Sequence, residues 1–494
     1  MLLTASQLYA HIQCPHYTWR DFYGPQEEKI KEVNPFIQML WNRGIQHEER
    51  VVKELGDFLD LRHGSLKERF AKTMQAIEND TPLIYQGVLQ STELLGVPDL
   101  LRRLPDGSYL PIEIKSGMAV DSGEGKIKKH YAVQLCLYTE LLQQLGIKND
   151  NKGIIFDINR NEVEYRFNEP LGKIERKTCW EFYKEVKEEA RALLNNKIQN
   201  KPALSGTCKL CPWYNSCKKW CQENQDLTTI FYLGRAKRDV INKELQIEKV
   251  DNFSELNVKG IMDQKKQDKS FLKSIGEKTL DKLVARANIL CKTKQPVIYK
   301  KIAFPEVSYE LFFDIEDDPT QEFVYLHGVY ERNNGEEKFI SFVAADTTKR
   351  AEAEAWAKFW EYIGSLPFND FAVYYYSPHE KSTYRKLQQR YPEVISAEDL
   401  DAFFENPCVI DLYQIVLKHT DWPLSSYSLK DLATYLGFRW RDDTPSGALS
   451  IEWYNKYLET NDKNILNRIL LYNEDDCKAT MVLKDAINKL SQCL

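Results

Sequence analysis

No apolar run in this 494-residue chain approaches the ~18 residues needed to cross a bilayer, so no helical membrane span is expected. The start, MLLTASQLYAHIQCPHY, lacks a basic segment followed by an apolar one. It does not read as a secretory signal, and the cytoplasm is the expected compartment. Short repeats and long low-complexity tracts are missing too, so the chain does not read as a repeat array. A positive excess is also lacking, at a formal net charge of −6. That does not exclude a polyanionic partner, because the local field matters more than the total.

What is present is a soluble, globular balance of 43% hydrophobic and 28% charged residues. The length exceeds one ordinary core and predicts two or three domains. Three blocks emerge. Residues 1–225 open with helical patterning and continue into the strand-like runs LIYQGVLQ, LLGVPDLLRRL and YLPIEIKSG. A helix, HYAVQLCLYTELLQQLG, follows, and then the strands GIIFDI and VEYRF. Residues 226–300 are helical and Lys-rich. Residues 301–494 return to strands in YELFFDIED, EFVYLHGVY, KFISFVAA and FAVYYY before ending in helices. Pro305 and the basic stretch before it mark a boundary.

In GVPDLLRRLPDGSYLPIEIKSG, Asp99 is expected near the end of one strand, and Glu113 and Lys115 on the next. The turn residues PDG make these two runs a hairpin. Glu113 and Lys115 are two apart and share one face of the sheet. Two carboxylates and an ammonium on one face are costly to bury without a task. An oxygen-seeking cation such as Mg²⁺ or Mn²⁺ supplies one.

These residues resemble the RecB-like, PD-(D/E)XK nuclease superfamily. Pro98-Asp99 and Glu113-Ile114-Lys115 fill its two core motifs. Gln134 and Tyr138, one helical turn apart, match its third. His47, in RGIQHEER, fits the upstream helical histidine of many members. The resemblance implies metal ligation by His47, Asp99, Glu113 and the main-chain carbonyl of Ile114. It implies that Lys115 positions water or stabilises the transition state.

Of eleven cysteines, Cys208, Cys211, Cys217 and Cys221 form a tight group. In a reducing compartment such spacing suggests a metal or cluster rather than disulfides. Four thiolates suit zinc or an iron–sulfur cluster. The fourth ligand is either the local Cys221 or the distant Cys14. Iron–sulfur RecB-like nucleases carry one cysteine before the nuclease core and three after it. That resemblance implies a [4Fe–4S] cluster on Cys14, Cys208, Cys211 and Cys217, with Cys221 spare.

The segment FLKSIGEKTLDKLVARANIL resembles a helix–hairpin–helix element. A helix is expected to end near Ser274, with a turn at Ile275-Gly276 and a second helix from about Lys278. Backbone N–H groups at that turn can meet a phosphate, among Lys265, Lys266, Lys269, Lys273, Lys278, Lys282 and Arg286.

In YELFFDIEDDP, Asp314 and Glu316 share a strand face. In LLYNEDDCKATMVL, Tyr472 and Asp476 stack on one helix face. The pattern resembles DEDDy exonucleases with an RNase H-like fold. In that class four carboxylates hold two divalent metals and the tyrosine orients the attacking water. Glu380, following Ser377-Pro378 at a helix start, stands where the class has an Asp. Asp475 and Asp411 are reserves.

The fold class expected is α/β multidomain, with three parts. A restriction-endonuclease-like PD-(D/E)XK domain spans 1–225, a helical DNA-binding linker 226–300, and an RNase H-like domain 301–494. The order resembles a family of predicted bacterial RecB-family nucleases. It implies a metal-dependent nuclease with two sites acting on single-stranded or branched DNA, with RNA as the lesser alternative. One rival is a nucleic-acid-binding scaffold for a helicase partner with one or both sites inactive. The other is a CRISPR-type end-trimming nuclease. No Gly-rich segment ending in Lys-Ser or Lys-Thr appears, so the chain is not expected to unwind DNA itself.

Overall fold

In the computed structural model the first unit, Met1–Lys218, is built on a mixed six-stranded sheet. The structure describes residues 2–31, 34–121, 126–172, 176–319 and 321–494. Helices α1 (Ala5–Gln13), α2 (Pro15–Tyr23) and α3 (Pro35–Glu54) come first. The strands β1 (Leu59–Asp60), β2 (Leu83–Tyr85), β3 (Leu100–Arg103), β4 (Tyr109–Ile114), β5 (Lys152–Phe156) and β6 (Glu162–Arg166) then neighbour one another in chain order. The PDG turn closes an antiparallel β3–β4 hairpin, with Gly107 at φ +82. β4 and β5 are parallel, which requires a crossover, and α4 (Lys129–Gln144) supplies it. Every residue of α4 from Tyr131 to Thr139 is buried, because the sheet lies on one side and α1 and α5 (Cys179–Leu194) on the other. A helix covered on two sides must be apolar nearly all round.

Three local expectations change. Asp99 lies in the bend immediately before the first residue of β3, outside the strand itself. Lys115 is one residue beyond β4, although its N–H still pairs with the Phe156 carbonyl. The run LIYQGVLQ is not one strand, since Gln86 turns left-handed at φ 56. Leu89–Gln90 therefore leaves the large sheet and joins a small one with Leu3–Thr4 and Leu94–Gly96.

The second unit, Lys219–Leu494, contains both the helical segment and the C-terminal sheet. α6 (Arg235–Leu245), α7 (Val258–Gln267) and α8 (Glu277–Asn288) pack around Leu227, Ile241, Phe253, Leu272, Leu280 and Leu283. The helix before the turn ends at Gln267, not near Ser274. Asp268 accepts from the Ser270 N–H at 2.8 Å, and Leu272 and Ser274 take positive φ values of 46 and 71, which no helix can continue through. Lys265 is spent on the carbonyls of Leu272 (2.6 Å) and Ile275 (2.9 Å). Arg286 is buried against Asp421 at 2.7 Å. Of the expected basic set, Lys266, Lys269, Lys273 and Lys278 are exposed.

The C-terminal sheet contains β7 (Tyr309–Asp318), β8 (Phe323–Asn333), β9 (Glu336–Val343), β10 (Phe371–Tyr375) and β11 (Val409–Asp411), in the order β9-β8-β7-β10-β11. β7, β8 and β9 form an antiparallel meander; β10 and β11 are parallel to β7. Leu311, Phe313 and Ile315 pack with Trp356 and Phe359 of α9 (Lys349–Ser365) and Tyr384 of α10 (Pro378–Arg390). Phe312 faces the other way, into the cluster that contains Cys477, Leu483 and Ile487. Those three residues belong to the long terminal helix, which follows α11 (Leu429–Tyr435) and α12 (Gly447–Thr460) as α13 (Lys463–Gln492). Alternation therefore turns Asp314 and Glu316 towards α13.

Gly328 sits opposite Asp314 in the β7–β8 register. A Cβ there would lie 1.6 Å from Oδ1 of the fully buried Asn473 on α13. The missing side chain is what lets α13 lie this close to the sheet. Gly328→Ala is expected to destabilise the second unit by about 1–3 kcal/mol through overpacking. Chemical denaturation checks this, and a parent-like midpoint would contradict it.

Candidate active sites

In the first unit, Asp99 is pinned across the hairpin. Its Oδ2 accepts the Ile114 N–H at 2.8 Å and its Oδ1 accepts Gln86 Nε2 at 3.0 Å. Glu113 is buried; Tyr138 Oη donates to its Oε1 at 2.7 Å, and Lys115 forms an ion pair with its Oε2. A side chain on Gly96 would meet the Tyr138 ring at 2.6 Å, so this glycine makes room for the phenol that reaches Glu113. Burial and the neighbouring Glu113 charge push the Asp99 carboxyl well above its usual range. Burial works against the Lys115 ammonium, but Glu113 and Asp99 outweigh it and raise its pKa. Gln134 is buried one turn before Tyr138, and its Oε1 has no hydrogen-bond partner among the described residues.

Asp99, Glu113, Lys115 and Tyr138 thus come together as one constellation. His47 does not join it by hydrogen bond, since its Nε2 is spent on the Asp157 carbonyl at 3.1 Å. Its neighbour Glu48, unremarked in the sequence, does approach. Gln86 Nε2 donates to Glu48 Oε1 at 2.8 Å as well as to Asp99, and Tyr85 Oη donates to Glu48 at 2.9 Å.

Cys14 lies at the junction of α1 and α2. Cys208, Cys211 and Cys217 follow one another through tight turns: the Cys211 N–H meets the Cys208 carbonyl, and the Cys217 N–H meets the Trp213 carbonyl. Burial first, then the charges of Cys217, Cys14 and Cys208, push the Cys211 thiol up to about 11. Burial likewise raises Cys217 to about 11, with Arg20 opposing and Cys14 and Cys208 adding. The four thiols are therefore close enough to act on one another. Cys221 accepts a bond from Thr228 Oγ1 at 3.9 Å.

In the second unit, Asp314, Glu316 and Asp476 have ligand oxygens that all lie within 4.8 Å of one another. Among the described residues this is the one group of three or more such side chains that close together. Asn473 Nδ2 bridges two of them, donating to Asp314 Oδ2 at 2.8 Å and Glu316 Oε1 at 3.4 Å. Trp440 Nε1 donates to Asp476 Oδ1 at 2.7 Å. Lys430 Nζ donates to Tyr472 Oη at 3.0 Å and to the Pro445 carbonyl at 2.7 Å. Its charge acts on all three carboxylates and opposes their protonation.

Glu380 is buried and lies outside the group of three, although its charge is felt at Asp314. Ser377 Oγ holds it at 3.2 Å, and Ser377 itself sits at φ 133, a conformation costly for a side-chain-bearing residue. The reserves are occupied elsewhere. Asp475 takes the Arg441 N–H at 2.8 Å and its Nε at 2.9 Å, and Asp411 caps the helix that starts at Leu412.

Residues 311–488 match the RNase H superfamily. The C-terminal domain is thus RNase H-like, a fold that points to a nucleic-acid hydrolase. No curated protein matches the chain. One solved structure, titled "Crystal structure of SSO0001", aligns over 44% of this chain and 86% of that one at 17% identity, with a TM-score of 0.22. That superposition is too loose to bear on the fold. No helix among the described residues is long and apolar enough to cross a membrane.

Sequence reasoning missed Asn473, Trp440, Lys430 and Glu48. Asn473 was accessible, because it lies three residues before Asp476 on the same helix face. Lys430 and Trp440 had no local signal; they arrive from a separate segment through tertiary packing.

Burial and the Asp476 charge hold the Glu316 carboxyl at about 8, and burial holds Glu380 at about 7, against an ordinary 4.5 for both. The folded state keeps these protons to higher pH than the unfolded chain does. Their contribution to stability is complete below about 4.5 and is lost as pH rises through 7 and 8. In EDTA, Glu316→Gln is expected to flatten the loss of melting temperature between about pH 5 and 8.5. Calorimetry that gives the same slope for both proteins would count against this reading.

Proposed function

We propose that the chain is a metal-dependent nuclease with two hydrolytic sites, one RecB-like in the first unit and one of DEDDy type in the second. The observation that carries it is the closure of Asp314, Glu316 and Asp476 to within 4.8 Å inside an RNase H-like domain. Like charges this close in a buried setting call for a compensating cation. When bound, Mg²⁺ or Mn²⁺ would neutralise phosphate charge and activate water. Asn473 holds two of the acids apart at fixed positions. Tyr472, fixed by Lys430, is the group for orienting the water at a strand end. In the first unit Tyr138 orients Glu113, and Lys115 is the cation for the developing charge.

The preferred substrate is single-stranded or branched DNA, with RNA as the alternative, cut from the 3′ end in the second site. The exposed Lys269, Lys273 and Lys278 around the uncapped start of α8 support phosphate contact by the helix–hairpin–helix-like segment. A scaffold reading, in which the chain binds nucleic acid for a helicase partner with one or both sites inactive, draws support from Glu380 lying outside the carboxylate group and from His47 being tied to Asp157.

Labelled single strands in Mn²⁺ separate the two. Asp314→Asn and Glu113→Gln are each expected to remove one activity, by on the order of 10²–10³ in rate. The double variant should be inert. Equal cleavage by parent and double variant, or none by the parent on any strand, would defeat the nuclease reading.

We read Cys14, Cys208, Cys211 and Cys217 as the ligands of a [4Fe–4S] cluster. The support is that the charges of Cys14, Cys208 and Cys217 are all felt at Cys211, and those of Cys14 and Cys208 at Cys217. Such a cluster would tie Cys14, near the start of the unit, to its last residues. Protein purified without oxygen should be brown, and Cys211→Ser should bleach it and lower the first melting transition. Stoichiometric zinc with no iron in metal analysis would overturn this assignment.

A further inference from the structure

The segment before β7 pairs with the C-terminal domain through a short antiparallel ladder, Val297 opposite Asp421 and Ile298 opposite Thr420. The Tyr299 N–H continues it to the His419 carbonyl at 2.8 Å. Tyr299 is 50% exposed, yet its ring is not loose: Oη donates to Asp421 Oδ2 at 2.9 Å. Lys282 Nζ lies 6.0 Å from the ring centre, held by the Leu417 carbonyl at 2.8 Å.

The charges around this ring do not cancel. Asp421 already serves Arg286 at 2.7 Å, with Lys282 at 4.0 Å, so two cations face one carboxylate. His419 reports the local field. Burial first, and then the charges of Lys300, Lys418 and Lys282, lower its pKa. Lys300 and Lys418 are exposed. A positive patch of this kind on a chain of net charge −6 is not a consequence of composition.

We propose that Tyr299, with Lys282, Lys300, Lys418 and His419, forms a docking surface for single-stranded nucleic acid, with the tyrosine ring as a stacking platform. The ammonium groups meet backbone phosphates, and the exposed ring face takes a base. Stacking is open to an unpaired strand, not to a duplex whose bases already stack on one another. The ring is immobilised in advance by Asp421, so little side-chain entropy is lost when a base covers it. An acidic protein segment or an anionic lipid surface would match the charge but leave the ring without a role. The proposal rests on the second unit engaging nucleic acid.

Fluorescence anisotropy of the full chain with a labelled oligothymidylate of about 20 nucleotides, in EDTA, tests it without any cleavage. Lys300→Glu with Lys418→Glu is expected to weaken binding at least about thirtyfold at low salt and to lower the log–log salt slope by about 1.4. Tyr299→Ala should cost about tenfold, while Tyr299→Phe, which keeps the ring but loses its tether to Asp421, should cost clearly less than Tyr299→Ala. The exposed lysine pair keeps the test decisive should Tyr299→Ala fail to fold. No binding by the parent, or parent affinity and slope in the lysine pair, overturns the proposal. So does unchanged oligonucleotide binding alongside lost binding to phosphatidylserine vesicles. If the parent cuts nothing in Mn²⁺ yet the variants lose oligonucleotide binding, the nuclease reading falls and this surface stands. If the parent cuts and the variants bind as it does, this surface falls alone.

Discussion

Three carboxylates, Glu316 and Asp476 buried and Asp314 half-buried, are held with ligand oxygens within 4.8 Å of one another on one strand and one helix of the second unit. Burial of one unpaired carboxylate already opposes its ionisation, and each neighbour adds to the penalty. The surrounding structure is arranged to tolerate this crowd. Asn473 donates to two of the acids, Trp440 to the third, and Lys430 supplies a positive charge that reaches all of them. Asn473 could not reach Asp314 and Glu316 if α13 stood farther from the sheet, and the bare Cα of Gly328 makes room for it.

The first unit meets a smaller version of the same problem by similar means. Asp99 is satisfied by a backbone N–H from the next strand, and Glu113 by a phenol from the crossover helix and by Lys115. In both units a glycine opens the approach: Gly96 admits the Tyr138 ring, as Gly328 admits Asn473. In both, the helix that closes the site also belongs to the hydrophobic core, so the geometry of the acids is fixed by packing rather than by their own interactions.

What was legible in the sequence follows from this division. Strand alternation gave the shared faces of Asp314 with Glu316, and one helical turn gave Tyr472 with Asp476 and Gln134 with Tyr138. The β3–β4 hairpin followed from the PDG turn, and four of the five strands of the C-terminal sheet from their apolar runs. The end of α7 was misplaced because Leu272 and Ser274 adopt left-handed backbone without being glycines, which composition does not announce. The break at Gln86 was hidden for the same reason. Lys282 and Arg286 read as surface cations, because the carboxylate and carbonyl that draw them in, Asp421 and Leu417, are 135 residues away in the chain.

The position of Glu380 shows where pattern reasoning stops. Its place at a helix start was readable from Ser377-Pro378, and α10 does begin there. Whether its carboxylate joins the other three depends on a side-chain path that no periodicity encodes. The structure holds it against Ser377, whose backbone lies in a region that costs of order 1–3 kcal/mol for any residue with a Cβ. The parallel register sets Tyr375 beside Asp411, and Asp411 caps the next helix, so the chain leaves β10 under constraint on both sides. That strain and the buried acid are adjacent. The strained Ser377 and the buried acid it holds thus meet where the packed sheet gives way to the first turn of α10, and backbone and side chain constrain each other there.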